Sequence, residues 1–194
     1  MDKPLLIAAA VGGVAAFLYS RKAVAAPRVQ QYPPHSPEAK ALFSQAARQA
    51  GLPESWGREH GLHEILRRES GGWVGRPNYT YNAVRGADFS SPSRRNEWPE
   101  VWREIQTGTY ATPSTATGLG QLVRSNVDDF YPDGRAGIGD PLNEAIGMLK
   151  YIERRYGNPR NAWAFYELPH CDPGTRSYYN RSALQIGCKP GEGY

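Results

Sequence analysis

Glu69 ends the run His63-Glu64-Ile65-Leu66-Arg67-Arg68-Glu69, and Ser70-Gly71-Gly72 follows it. Leu62, Ile65 and Leu66 precede Glu69 by seven, four and three residues, the spacing that stacks side chains on one helical face. A carboxylate turned with Leu and Ile toward a core is costly to ionise, so its pKa is expected to rise. A carboxyl still protonated near neutral pH is suited to act as a general acid. Ser-Gly-Gly stops the helix and places the acid at a terminus, where a cleft can open. A surface Glu at a frayed helix end fits the same local pattern.

A second candidate group is Thr115-Ala116-Thr117-Gly118-Leu119-Gly120-Gln121-Leu122. Gly118 and Gly120 allow a tight backbone on either side of Leu119, and Gln121 offers both a donor and an acceptor. Such a turn suits hydrogen bonding to an N-acetyl group or a sugar hydroxyl; a plain loop has the same signature. Other chemistries find little support. His60 and His63 stand three apart, with no His-Glu-x-x-His signature and no third ligand nearby in the sequence, so no metal is expected. There is no phosphate-binding Gly loop and no Gly-x-Ser-x-Gly turn, and no cofactor is expected. Cys171 and Cys188 lack a motif-placed histidine partner, although His170 adjoins one of them.

The elements that would position these groups are helical. Ser36-Pro37 reads as a cap with proline in the first turn. Ala39, Leu42, Phe43, Ala46, Ala47 and Ala50 then repeat at helical spacing up to Gly51. A second helix, from about Trp56, carries Glu69 at its end. Trp98, Val101, Trp102 and Ile105 mark a third. Asp140-Pro141 opens a fourth, with Leu142, Ala145, Ile146, Leu149 and Ile152 inward and Gly157 as its stop. Asn158-Pro159 caps a last short helix with Ala162, Trp163, Phe165 and Tyr166. No stretch alternates with period two, no repeat is visible, and the class is mainly α.

A chain of 194 residues with 40% hydrophobic residues can bury one core. Twelve Tyr and five Trp suit a sugar-binding groove. The net charge of +4 is too weak and scattered to argue for nucleic acid; a mildly basic surface suits a polyanionic cell wall. Residues 4–19 (PLLIAAAVGGVAAFLY) carry no charge and are bounded by Lys3 and Arg21-Lys22. As a helix this run reaches about 24 Å, which snorkelling of the flanking Lys and Arg extends toward a bilayer core of about 30 Å. An uncleaved transmembrane anchor over residues 1–22 is therefore expected, in preference to a signal peptide cut after Ala23-Val24-Ala25. Residues 23–36, with three prolines, read as a linker. Arg21, Lys22 and Arg28 would hold the following domain on the cytoplasmic side. A disulfide between Cys171 and Cys188 in the loop-rich segment 169–194 would instead need an oxidising compartment, and two free thiols are the alternative. Carriage in a virion membrane removes that conflict.

Three motifs stand in order: Glu69-Ser70-Gly71-Gly72, then Thr115-Ala116-Thr117-Gly118-Leu119-Gly120-Gln121, then Tyr156-Gly157-Asn158-Pro159-Arg160-Asn161-Ala162-Trp163-Ala164-Phe165-Tyr166. In this order the chain resembles the soluble lytic transglycosylase family of the lysozyme-like superfamily, most of all its phage-associated branch, over about residues 36–166. The resemblance implies a lysozyme-like helical domain at 37–168 and a catalytic role for Glu69. It also implies that Ser70, Gly118, Leu119, Gln121 and Tyr166 contact substrate. Glu167 stands where the family's Ala-Tyr-Asn segment has Asn. The stretch between Glu69 and Gln121 is longer than usual, and residues 78–113 read as an insert forming a lid, a groove wall or a docking surface.

The implied substrate is the glycan strand of peptidoglycan. Glu69 would protonate the oxygen between N-acetylmuramic acid and N-acetylglucosamine, and the substrate's N-acetyl group would stabilise the developing charge. Glu69 would then take the proton of the C6 hydroxyl, closing a 1,6-anhydro ring without water. Ordinary glycosidases need two carboxylates; Asp88, Glu97 and Asp128 are the nearby candidates for a second, which keeps a lysozyme-type hydrolase as an alternative. Trp73 and Trp163 read as core, while Trp98 or Trp102 could stack on a sugar. The implied setting is a virion-associated lysin or the periplasmic face of the inner membrane, with other virion or wall-machinery proteins as partners. A non-catalytic peptidoglycan-binding virion protein and an assembly factor docking through residues 78–113 are the competing classes.

Overall fold

The computed structural model describes residues 29–167. Helix α1 (Pro37–Gln49) starts where Ser36 accepts a hydrogen bond from the Ala39 amide across Pro37, and it buries Ala39, Phe43, Ala46 and Ala47. A 3₁₀ turn over Glu54–Arg58 follows, and α2 (His60–Glu69) begins only after it. The expected start near Trp56 is corrected, because Glu59 is extended (φ −65°, ψ 132°) and separates the turn from the helix. Next come α3 (Asn82–Arg85), α4 (Trp98–Thr107), α5 (Arg124–Phe130), α6 (Pro141–Tyr156) and α7 (Pro159–Glu167). Asp140 caps α6 through the Asn143 amide at 2.8 Å, and Asn158 caps α7 through the Asn161 amide at 2.8 Å.

The described residues contain no strand, only isolated bridges that tie loops together. Tyr32 donates its amide to Gly72, Val74 to Gln30, and Asn78 to Ala116. Residues 29–36, expected as a linker, are thus docked on the loop that follows α2.

Two apolar cores result. The first gathers α1, α2, α6 and α7 around Phe43, Leu62, Leu66 and Leu149. Helix α7 approaches α2 closely because Gly61 lacks a Cβ, which would lie 2.7 Å from the Pro159 carbonyl and from Trp163 Cβ. The second core belongs largely to residues 78–113 and joins Tyr81, Phe89, Trp98, Val101, Trp102 and Ile105 to Val127, Tyr131 and Ile138. Residues 78–113, expected as an insert, therefore pack around a core of their own. Trp98 and Trp102 lie inside it, with their indole N–H groups donated to the carbonyls of Phe89 (3.0 Å) and Gly75 (2.6 Å). Neither has a face for a sugar, which corrects that expectation: their spacing at i and i+4 with Val101 and Ile105 marks a core stripe.

The expected fold class also needs correction. It is mainly helical, but among the described residues no helix is long and apolar enough to cross a membrane. The longest, α6, has 16 residues, reaches about 24 Å and is amphipathic. The apolar run 4–19 on which the N-terminal transmembrane helix rested lies outside the described residues, as do Cys171, Cys188 and the segment 169–194.

Candidate active site

A cleft of about 400 Å³ opens at the end of α2, within the size range of small-molecule sites. Ile65, Ala116, Leu122, Met148 and Ile152 give it an apolar floor. Glu69, Asn78, Gln121, Asn126, Arg155 and three tyrosines (Tyr151, Tyr156, Tyr166) supply its polar groups. Of the described residues lining this cleft, Glu69 is the one carboxylate.

The helix pattern explains where Glu69 points. Ile65, one turn earlier, is buried and also lines the cleft, so the helix delivers the carboxyl to the cleft along its apolar face. Burial in this wall raises its pKa from 4.5 to about 7. Tyr166 donates its hydroxyl to Glu69 Oε1 from α7. Helix α7 is in turn held to the end of α2 by Arg68, whose guanidinium lies 4.5 Å from the Trp163 ring centre and reaches the Tyr166 carbonyl at 3.4 Å. The sequence places Tyr166 97 residues after Glu69; α2–α7 packing brings them into contact.

Gly120 and Gln121, from the Gly118–Gln121 turn, line the same cleft. Thr117 and Leu122 exchange backbone hydrogen bonds at 3.2 and 3.1 Å, and the Gln121 amide returns to the Gly118 carbonyl at 3.2 Å. Gln121 adopts φ +47°, unusual for a residue with a side chain. Its side-chain NH₂ donates to the carbonyls of Arg76 (2.7 Å) and Gly118 (3.2 Å), and its Oε1 lies 3.4 Å from Asn78 Nδ2. The amide is locked in place before any ligand arrives, and Asn78, from the first residue of the insert, stands beside it.

The structure separates the remaining expected contact residues from the cleft. Ser70 is buried and bridges, donating to the Leu119 carbonyl (2.9 Å) and accepting from the Gly72 amide (3.1 Å). Leu119 is a core side chain. Gly118 has φ +79°, and a Cβ there would lie 2.8 Å from the carboxyl of Glu144 and 2.9 Å from the Tyr131 hydroxyl. These three hold the turn and are not among the residues that line the cleft. Asp88, Glu97 and Asp128 do not line it either: the first two pair with Arg94, and Asp128 pairs with Arg135 at 2.6 Å.

Two residues escaped the sequence reading. Glu144, fully buried on α6, accepts the amides of Gly75 (2.9 and 3.0 Å), Leu119 (2.9 Å) and Gly139 (2.8 Å). Burial raises its pKa to about 7 against the pull of those amides. In the sequence it passes for a solvated acid favoured by the helix N-terminus; its spacing of four from Met148 and eight from Ile152 was the available signal. Arg76 donates to the carbonyls of Ser70 (3.0 Å) and Ser90 (3.0 Å), tying the end of α2 to the insert. Nothing in its local sequence marks that role.

What the arrangement can do chemically follows from its parts. A carboxyl protonated near neutrality can donate to a bridging oxygen, and once ionised it can take a proton back. The adjacent amide groups and the aromatic walls suit a sugar with amide and hydroxyl substituents. No protein-family model, curated protein or solved structure matches this chain.

Proposed function

We propose that this chain is a lytic transglycosylase that cleaves the β-1,4 bond between N-acetylmuramic acid and N-acetylglucosamine in peptidoglycan, acting as a virion-associated lysin. The observation that carries the reading is Glu69: the one carboxylate among the described residues of a half-apolar cleft, with burial holding its pKa near 7, the Tyr166 hydroxyl on one oxygen and Gln121 lining the same cleft. The motif order that resembles the lytic transglycosylases falls on these same residues. Two-carboxylate hydrolysis wants a second acid at about 5–9.5 Å to serve as nucleophile or to activate water; Asp88, Glu97 and Asp128 are committed to arginines away from the cleft.

In the proposed reaction the Glu69 proton passes to the glycosidic oxygen as the C1–O4 bond breaks. The substrate's N-acetyl oxygen attacks C1 and carries the positive charge as an oxazolinium. The Glu69 carboxylate then removes the C6 hydroxyl proton, O6 bonds to C1, and the oxazolinium reopens to the N-acetyl group. Glu69 ends protonated, as it began, and no water is consumed.

Mass spectrometry of the soluble fragments released from purified murein tests this directly. Fragments ending in 1,6-anhydro-N-acetylmuramic acid, lighter by one water than hydrolysed ends, are expected. Hydrolysed ends would assign the site to a lysozyme-type hydrolase, and no release of fragments would remove the enzymatic reading.

The pH profile supplies a second expected result. The acid must be protonated at the outset, so release is expected to fall about tenfold per pH unit above about pH 7, where Glu69 ionises. The Tyr166 hydroxyl donates to the carboxylate form and favours it, so Tyr166→Phe should push the Glu69 pKa, and with it the alkaline limb, upward. It should also lower release about tenfold at neutral pH, because the orientation of the carboxyl is lost. A limb that stays in place in Tyr166→Phe would separate the tyrosine from the acid.

A further inference from the structure

A second cluster sits at the start of α2, built from residues that do not line the cleft. One ligand-capable atom each from His35, His60 and Glu64 lies within 4.8 Å of the others. His60 and Glu64 are four apart and share a helical face. His35 comes from the docked N-terminal segment. It occupies the third position of a turn closed by the Ser36 amide on the Pro33 carbonyl at 3.0 Å, with Pro34 second and φ +67° at His35. That is the geometry of a type II turn, whose third position favours Gly or Asn. Few residues with a side chain take this backbone conformation, although His is among those that tolerate it, and the turn fixes where the ring stands.

The surroundings hold the ring in place. The His35 amide donates to His63 Nδ1 at 3.2 Å, and His35 Nε2 meets Glu64 Oε1 at 2.8 Å. His63 is buried, and its Nε2 lies 3.0 Å from the Gly57 carbonyl. A carbonyl only accepts, so Nε2 carries the proton and Nδ1 is left to receive the His35 amide. Both nitrogens of His63 are thereby used, and it is a support for His35, not a ligand. On Glu64, Arg67 occupies Oε2 at 2.6 and 3.0 Å, which leaves Oε1 toward the histidines.

We propose that His35, His60 and Glu64 bind a divalent transition-metal ion, zinc foremost, with water in the fourth position. Two imidazole nitrogens and one carboxylate oxygen form a donor set that zinc accepts in tetrahedral geometry, whereas magnesium and calcium favour all-oxygen sites. Tetrahedral bonds of about 2.0–2.1 Å set ligand atoms roughly 3.3 Å apart. Closing the present spacing, within 4.8 Å, to that value would require the His35 and His60 side chains, both exposed, to rotate. The ion would staple the segment 29–36 to α2. This site is independent of the chemistry at Glu69.

Calorimetric titration of the EDTA-stripped full chain with zinc chloride tests the site. One zinc per chain is expected, with no uptake of magnesium chloride and a rise in Tm on zinc addition. His35→Asn keeps a residue tolerant of positive φ, and His60→Ala alters an exposed position. Each should weaken zinc binding at least tenfold while melting like wild type in EDTA. No saturable binding by the wild-type chain would overturn the assignment. Equal zinc affinity in the His35→Asn/His60→Ala double variant would do so too, by placing the ion elsewhere.

Discussion

Glu69→Gln is expected to cut the release of murein fragments about a thousandfold, the scale of losing a positioned general acid–base group. The amide keeps the size of the carboxyl and can still accept the Tyr166 hydroxyl through its oxygen, so the cleft retains its shape. It cannot give a proton to a leaving oxygen or take one from the C6 hydroxyl. Sedimentation with insoluble murein should therefore be unchanged while soluble fragments disappear. Retained release would move the chemistry to another group; lost sedimentation would show that the substitution damages binding.

The same variant should be more stable than wild type at neutral and alkaline pH. The Glu69 carboxyl is protonated in both folded and unfolded chains below about pH 4.5, and there it costs the fold nothing. Its folded pKa is raised to about 7, so the folded chain holds the proton more tightly, and stability is lost as pH rises from 4.5 through 7. Above pH 7 the full shift corresponds to about 3 kcal/mol, which water in the open cleft reduces to roughly 1–2 kcal/mol. Glu69→Gln does not titrate and escapes that loss. Thermal melts of the two proteins should thus coincide at pH 4 and separate at pH 8, with the variant higher. A gain in stability paired with loss of turnover is what an acid kept in a half-buried wall for chemistry should show.

Which parts of this arrangement the sequence could disclose depends on how local the physics is. Caps and stops are local: Ser36-Pro37, Asp140-Pro141 and Asn158-Pro159 each start a helix where they stand, through hydrogen bonds spanning three residues. The inward face of α2 is equally local, and it carried Glu69 to the cleft. Helix α5 was invisible because Val127 is its single buried residue, too little to set a period. The meaning of a buried aromatic is not local. Trp98 and Trp102 suggested a sugar platform by type, but residues 78–113 needed them for a core of their own. His35 was unreadable for a different reason. Its partners lie 25 and 29 residues away, and its turn uses a backbone conformation that its residue type disguises.

Glu144 shows most sharply how a distant group can decide the geometry of the site, and Glu144→Gln is expected to be strongly destabilising. The three amides that meet at its carboxylate come from separate segments, at Gly75, Leu119 and Gly139. All are donors, and at pH 8, where Glu144 is ionised and the melts are compared, the carboxylate is the one acceptor they share. A glutamine brings one oxygen and an NH₂. The oxygen cannot satisfy three amides, and the NH₂ faces donors in a site closed to water. Two or so unsatisfied buried groups at about 1–3 kcal/mol each place the loss near 4 kcal/mol, or on the order of 10–15 °C in Tm for a domain of this size. The damage has a direction. Leu119 belongs to the turn that presents Gln121, and Gly75 precedes Arg76, whose carbonyl holds the Gln121 amide. Murein release measured well below the lowered Tm should therefore drop as well, while Glu69→Gln loses release without losing stability. If Glu144→Gln melts within a few degrees of wild type, the amides have found other acceptors and the carboxylate is not what joins the two cores at the cleft.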